Sequence, residues 1–142
     1  MQIGAFNFRQ IDFLPVDDTP TALRPALEKA WQRLSESLAR ADNVAEMTGQ
    51  EPPSENWLAL GTERRRQLAR VITISDFALD TLVRYPEWLL HLDAGGELDE
   101  SPQGETLAAW LAERLESAED EAGLHAVLRR FRRARMLGIV WR

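Results

Sequence analysis

Apolar side chains along this chain fall mostly at steps of three and four residues, the spacing that gathers them on one side of an α-helix. Leu27, Trp31, Leu34 and Leu38 make the first such stripe, and Glu28, Lys29, Arg33, Glu36 and Arg40 lie on the opposite side. Pro25 suits a first helical turn, where its missing N–H costs nothing, so the spacing predicts a helix over about 25–41. Upstream there is no helical period. Phe6, Phe8, Ile11, Phe13 and Leu14 read either as a short extended arm packing on the body or as a disordered one, ended by the turn residues Asp17, Asp18, Thr19 and Pro20. Residues 42–61 are interrupted by Gly49, Pro52, Pro53 and Gly61 and read as a loop, with room for short helical turns near 43–47 and 55–60.

The stretch 62–84 carries the broadest apolar face: Leu68, Val71, Ile72, Phe77, Leu79, Leu82 and Val83. Val71-Ile72-Thr73-Ile74 is β-branched and suits a strand on propensity alone, but the helical period on both sides of it argues for helix. Ser75 and Asp76 are good N-cap residues and predict a break or kink there. Tyr85-Pro86 ends the helix, because the residue before proline avoids helical angles, and Pro86 can open a further turn through Leu90. Residues 93–104, with Gly95-Gly96 and Ser101-Pro102, read as a polar surface loop. Leu107, Trp110, Leu111 and Leu115 then predict a helix over about 105–117. A last helix starts near Asp120, with Leu124, Val127, Leu128, Phe131, Leu137 and Trp141 as apolar positions and Met136, Ile139 and Val140 widening the apolar area. No Gly or Pro closes it, the pattern of a chain cut in mid-helix. With no strict alternation anywhere, the expected fold is all-α, a bundle of about five or six helices over residues 25–142, preceded by an arm over 1–24.

Composition narrows the classes. At 142 residues, 44% hydrophobic and 28% charged, the chain has the balance of one ordinary globular domain. Its net charge of −6 argues against a general affinity for nucleic acid. No apolar run approaches the ~20 residues of a membrane span, and the N-terminus does not read as a signal peptide. The absence of cysteine excludes disulfides and thiolate metal sites and agrees with a cytoplasmic location.

Catalytic chemistry is sparse. His91 and His125 are the two histidines, and neither has a metal-type partner nearby in sequence. Gly95-Gly96 lacks the lysine and preceding strand of a phosphate loop. Glu116, Glu119, Asp120 and Glu121 are explained by a helix start, whose dipole favours acids. The sequence therefore offers no catalytic, cofactor-binding or metal residue. Arginine supplies nearly all the positive charge, since Lys29 is the only lysine, and five arginines crowd one stretch: Arg129, Arg130, Arg132, Arg133 and Arg135. Like charges at these spacings repel by a few tenths of a kcal/mol per pair, on the order of 0.3, so something must offset them. Three offsets are open: the ten acids between Asp93 and Glu121, the dipole at the helix C-terminus, or an acidic or phosphate-bearing surface in a following domain or a partner. Five tryptophans (Trp31, Trp57, Trp88, Trp110 and Trp141) are expected mostly in the core.

Two stretches resemble a known family. The first runs Val71-Ile72-Thr73-Ile74-Ser75-Asp76-Phe77, through Asp80, to Tyr85-Pro86-Glu87-Trp88-Leu89. The second runs Asp120-Glu121-Ala122-Gly123-Leu124, through Leu128-Arg129-Arg130-Phe131-Arg132-Arg133, to Met136, Ile139 and Trp141. In this order and spacing they resemble the N-terminal helical region of the bifunctional glutamine synthetase adenylyltransferase/adenylyl-removing enzymes. The resemblance implies a parent with two nucleotidyltransferase domains, one attaching AMP from ATP to a tyrosine of glutamine synthetase and one removing it by phosphorolysis. It also implies regulation by glutamine and the PII signalling protein, and magnesium held by paired aspartates. That aspartate pair is absent here: Ala78 stands two residues after Asp76, so Ser75-Asp76-Phe77 is not the metal motif, and no catalytic residue carries over. The resemblance thus implies a helical piece that stops before its nucleotidyltransferase domain and is inactive alone, with ATP and magnesium belonging to the parent. The alternative left open is a free-standing helical protein-interaction module. Neither reading involves a membrane or nucleic acid as partner.

Overall fold

The computed structural model describes residues 13–142, and Phe6, Phe8 and Ile11 of the expected arm lie outside them. The described residues are all-α. After two short 3-10 turns, Val16–Asp18 and Thr21–Leu23, come seven helices: α1 Arg24–Thr48, α2 Pro53–Leu58, α3 Thr62–Ile74, α4 Asp76–Arg84, α5 Trp88–Ala94, α6 Gly104–Leu115 and α7 Glu121–Trp141. They form two compact units, one ending at Leu90 and the other beginning at His91, so that the division falls inside α5.

In the first unit α1 packs against α2, α3 and α4. Its predicted stripe is its buried face: Leu27, Trp31, Leu34 and Leu38 are all essentially inaccessible to water, as are Leu68 and Ile72 of α3 and Leu82 of α4. Burying each such side chain stabilises the fold by about 2 kcal/mol before entropy is counted. The helix runs seven residues past the expected end, to Thr48. Beyond Leu38 the stripe continues only through alanine, with Ala45 buried, so the apolar signal fades while the helix persists. Gly49 supplies the stop. It adopts φ 74°, the left-handed region that favours glycine, while the N–H of Gln50 reaches back to the carbonyl of Ala45 at 2.8 Å.

The expected loop at 42–61 is thereby reduced to the flanks of α2. Pro53 opens that helix, and the Ser54 N–H donates to Asp42 Oδ1 at 3.0 Å. Trp57, fully buried, donates its indole N–H to the carbonyl of Pro86 at 3.2 Å, tying α2 to the turn after α4. At that turn the Tyr85 and Trp88 rings stack with centroids 3.9 Å apart. The described end of the arm is ordered against the body: Phe13 stacks on Trp31 at 5.2 Å, and the Arg65 guanidinium lies over the Phe13 ring at 4.4 Å.

The break between α3 and α4 is a capping event. Ser75 has extended angles, φ −126° and ψ 106°, and its hydroxyl accepts from the Ala78 N–H at 3.1 Å. The β-branched run before it is helical, because its Val71 and Ile72 face the core. The Ser37 hydroxyl also donates to the carbonyl of Val83, pinning α4 to α1.

The second unit is built on the α6–α7 helix pair. Asp120 caps α7, its Oδ1 accepting from the Gly123 N–H at 2.6 Å. A Cβ on Gly123 would stand 3.0 Å from that oxygen, so glycine gives the cap its room. The segment 95–103 departs from the expected surface loop. Gly96 turns it with φ 75°, and Glu97 and Leu98 that follow are buried.

Replacing Ser75 by Ala removes the one side-chain cap of α4 and is expected to cost about 1 kcal/mol in urea unfolding, whereas Asn or Asp should retain most of the stability. Equal stability of the Ala variant would contradict the capping account.

Candidate functional site

The arginine-rich stretch lies wholly on α7. Helical geometry separates its members onto different sides. Arg135 points inward, with its side chain 16% accessible, and its Nη1 stands 3.1 Å from Glu97 Oε1, whose side chain is only 7% accessible. Its guanidinium also lies 5.1 Å from the Trp110 ring centroid of α6 and 5.0 Å from that of Phe131. Two aromatic faces and a carboxylate therefore surround one cation, an arrangement that suits the flat, weakly hydrated guanidinium better than an ammonium. Arg114 adds a second cation over Phe131 at 5.8 Å.

The backbone nearby is held as well. Arg142 Nη1 donates to the carbonyls of Glu97 and Glu100. At Gly138 α7 approaches this segment closely enough that an added Cβ would lie 3.7 Å from the Glu97 carbonyl oxygen. Burial pushes the Glu97 carboxyl above the usual carboxylate range, against the opposing pull of Arg135, Arg142 and Arg114. Burial likewise lowers Arg135, while Glu97 opposes that shift. Desolvation is thus the larger influence on both partners, as is usual for an ion pair taken out of water.

The remaining arginines lie elsewhere. Arg129, Arg130 and Arg132 are exposed and Arg133 is half-buried. Arg129 and Arg132 share a side with Met136, Ile139 and Val140 through steps of three and four. Those three are exposed too, Ile139 to 63%. Arg130 is exposed on another side. This side of α7 therefore presents two arginines followed by three apolar side chains; Leu137, Gly138 and Trp141 on the far side are buried, and Arg135, one turn from both Arg132 and Ile139, is half-buried at the border between the two.

His91 and His125 are exposed. Ser75 and Asp120 cap helices, and Glu121 stands 3.9 Å from His125 one turn along. Among the described residues no three histidine or carboxylate side chains gather as a metal site requires. Of the tryptophans, Trp31, Trp57 and Trp141 are buried, and Trp88 and Trp110 half-buried. Among the described residues no helix is long and apolar enough to cross a membrane. Glu97 was not singled out by the sequence: it is one acid among many, and only the fold of 95–103 selects it.

Removing the carboxylate with Glu97→Ala leaves Arg135 buried without its counter-ion and is expected to cost about 3 kcal/mol in chemical denaturation. Arg129→Ala should stay within about 0.5 kcal/mol of the parent chain. Because the folded-state pKa of Glu97 is raised, the associated stability is full below the ordinary carboxylate value and declines as pH rises through the raised one. Glu97→Gln should remove that part of the pH dependence, and an unchanged profile would contradict the assignment.

No solved structure matches the chain. A family model described as glutamate-ammonia ligase adenylyltransferase (GlnE) matches residues 65–142. The match runs from α3 through α7 and contains both motif stretches, the Ser75 cap with its Tyr85-Pro86-Glu87-Trp88 turn and the Asp120-capped arginine helix. It spans more than half of the sequence, and the chain belongs to the glutamate-ammonia ligase adenylyltransferase family.

Proposed function

We propose that this chain is the helical N-terminal segment of a bifunctional, cytoplasmic enzyme that transfers AMP to and from glutamine synthetase. Its role is to support a nucleotidyltransferase domain through contacts rather than to perform chemistry. The family match over residues 65–142 carries this reading. The make-up of the matched region supports a non-catalytic role, because nucleotidyl transfer needs carboxylates converging on magnesium to stabilise the in-line displacement at phosphorus.

The residues here do not fit that ion. Ser75 spends its hydroxyl on the Ala78 N–H, Asp76 is exposed in the first turn of α4, and among the described residues no three histidine or carboxylate side chains are placed to hold a metal ion. No step of nucleotidyl transfer is therefore assigned to these side chains. ATP and magnesium are assigned to the parent enzyme's catalytic domains, and glutamine synthetase and the PII signalling protein to the parent's partners.

Mixed with adenylylated glutamine synthetase, magnesium and inorganic phosphate, the purified chain should release no ADP above a protein-free control. A parent enzyme carrying its catalytic domains should release ADP under the same conditions. Phosphorolysis by the 142-residue chain alone would overturn the proposal.

A further inference from the structure

The exposed side of α7 combines two features that seldom coexist on a surface facing only water. Met136, Ile139 and Val140 form a contiguous apolar patch, each accessible despite the cost of hydrating it. One to two turns toward the N-terminus, Arg129 and Arg132 extend the same side, both exposed. Glu97 is engaged with Arg135, at the border of this side. The basic patch stands out in a chain whose net charge is −6. An apolar strip with charge of a single sign at one end is also directional: it fits a ridge whose own charge is opposite and placed at the matching end.

We propose that this side of α7 is a docking surface for an amphipathic protein helix, one bearing an apolar ridge and carboxylates positioned against Arg129 and Arg132. Met136, Ile139 and Val140 seat the ridge, since residues at these spacings form the rows that pack into the grooves of a second helix. The arginines set register and orientation through charge-assisted hydrogen bonds, for which the guanidinium fork suits a carboxylate. Arg130 and Arg135 are not part of the surface. This inference rests on the reading of the chain as a contact-making segment and adds the chemistry of what it contacts.

The test uses the full chain, isotopically labelled, with two synthetic amphipathic peptides of about 20 residues, long enough to form several helical turns. They share one leucine ridge and differ only in flanking charge, one carrying glutamates and the other lysines. The acidic peptide should bind and shift amide resonances around Arg129, Arg132, Met136, Ile139 and Val140, more weakly as salt is raised. The double variant Arg129→Glu, Arg132→Glu should lose about tenfold or more in affinity for the acidic peptide and gain affinity for the basic one. Met136→Ser with Ile139→Ser should weaken both, and Arg130→Glu should change nothing.

Circular dichroism of each variant separates loss of binding from loss of fold. Equal binding of the two peptides, no binding of the acidic one, or shifts confined to another helix would overturn the proposal. So would capture by phosphatidylserine-containing vesicles in preference to the peptide, or self-association of the chain through the same residues. Because the assay involves no nucleotide chemistry, its failure leaves the phosphorolysis result untouched, and the reverse holds too.

Discussion

The ion pair between Glu97 and Arg135 gives α7 its orientation. A helix with five arginines in seven residues has no self-evident inside. Its polar positions wrap more than half the circumference, and mutual repulsion penalises every compact arrangement. The structure resolves this by taking one arginine out of water. Once Arg135 is held by Glu97 and covered by Trp110 and Phe131, the rotation of α7 about its axis is fixed. Leu137, Gly138 and Trp141 then fall on the buried side, and Arg129, Arg132, Met136, Ile139 and Val140 on the exposed one. The pair is better understood as a device for specificity than as a large source of stability, because desolvation opposes the charged form of both members.

The first unit depends on a different device. Its core is conventional apolar packing along α1, and its precision comes from polar groups that bridge segments distant in sequence. The Trp57 indole reaches the Pro86 carbonyl, the Ser37 hydroxyl reaches the Val83 carbonyl, and the Ser75 hydroxyl starts α4. Each satisfies a backbone group that a helix end or turn would otherwise leave unpaired. The motif around Ser75 and Pro86 is therefore architectural. It places α4 and the following turn.

Much of this was legible in the sequence wherever large apolar residues marked a helical face or a small polar residue marked its start. The stripe Leu27-Trp31-Leu34-Leu38, the break at Ser75 and the start at Asp120 all follow from such local signals. Where the stripe passed through alanine the signal faded, and the final two turns of α1 read as a loop with room for a short helical turn near 43–47. The burial of Glu97 and Leu98 was hidden for another reason: a glycine-rich polar segment looks like solvent-exposed loop until α7 is placed beside it. The division of the arginines was equally invisible, since choosing among ten candidate acids requires the fold. The family resemblance pointed to a non-catalytic helical region, but it did not distinguish the arginine that holds the unit together from those that face outward.

Arg135 is the member of the arginine run that pairs with Glu97 and orients α7. A double-mutant cycle tests that pairing most directly, comparing Glu97→Gln and Arg135→Met singly and together by denaturant unfolding, with Glu97→Gln and Arg129→Met as the reference cycle. The predicted result is a coupling of about 1 kcal/mol or more for the first pair and additivity, within about 0.5 kcal/mol, for the second. Additivity in the first cycle, or equal coupling in both, would contradict the orientation of α7 described above.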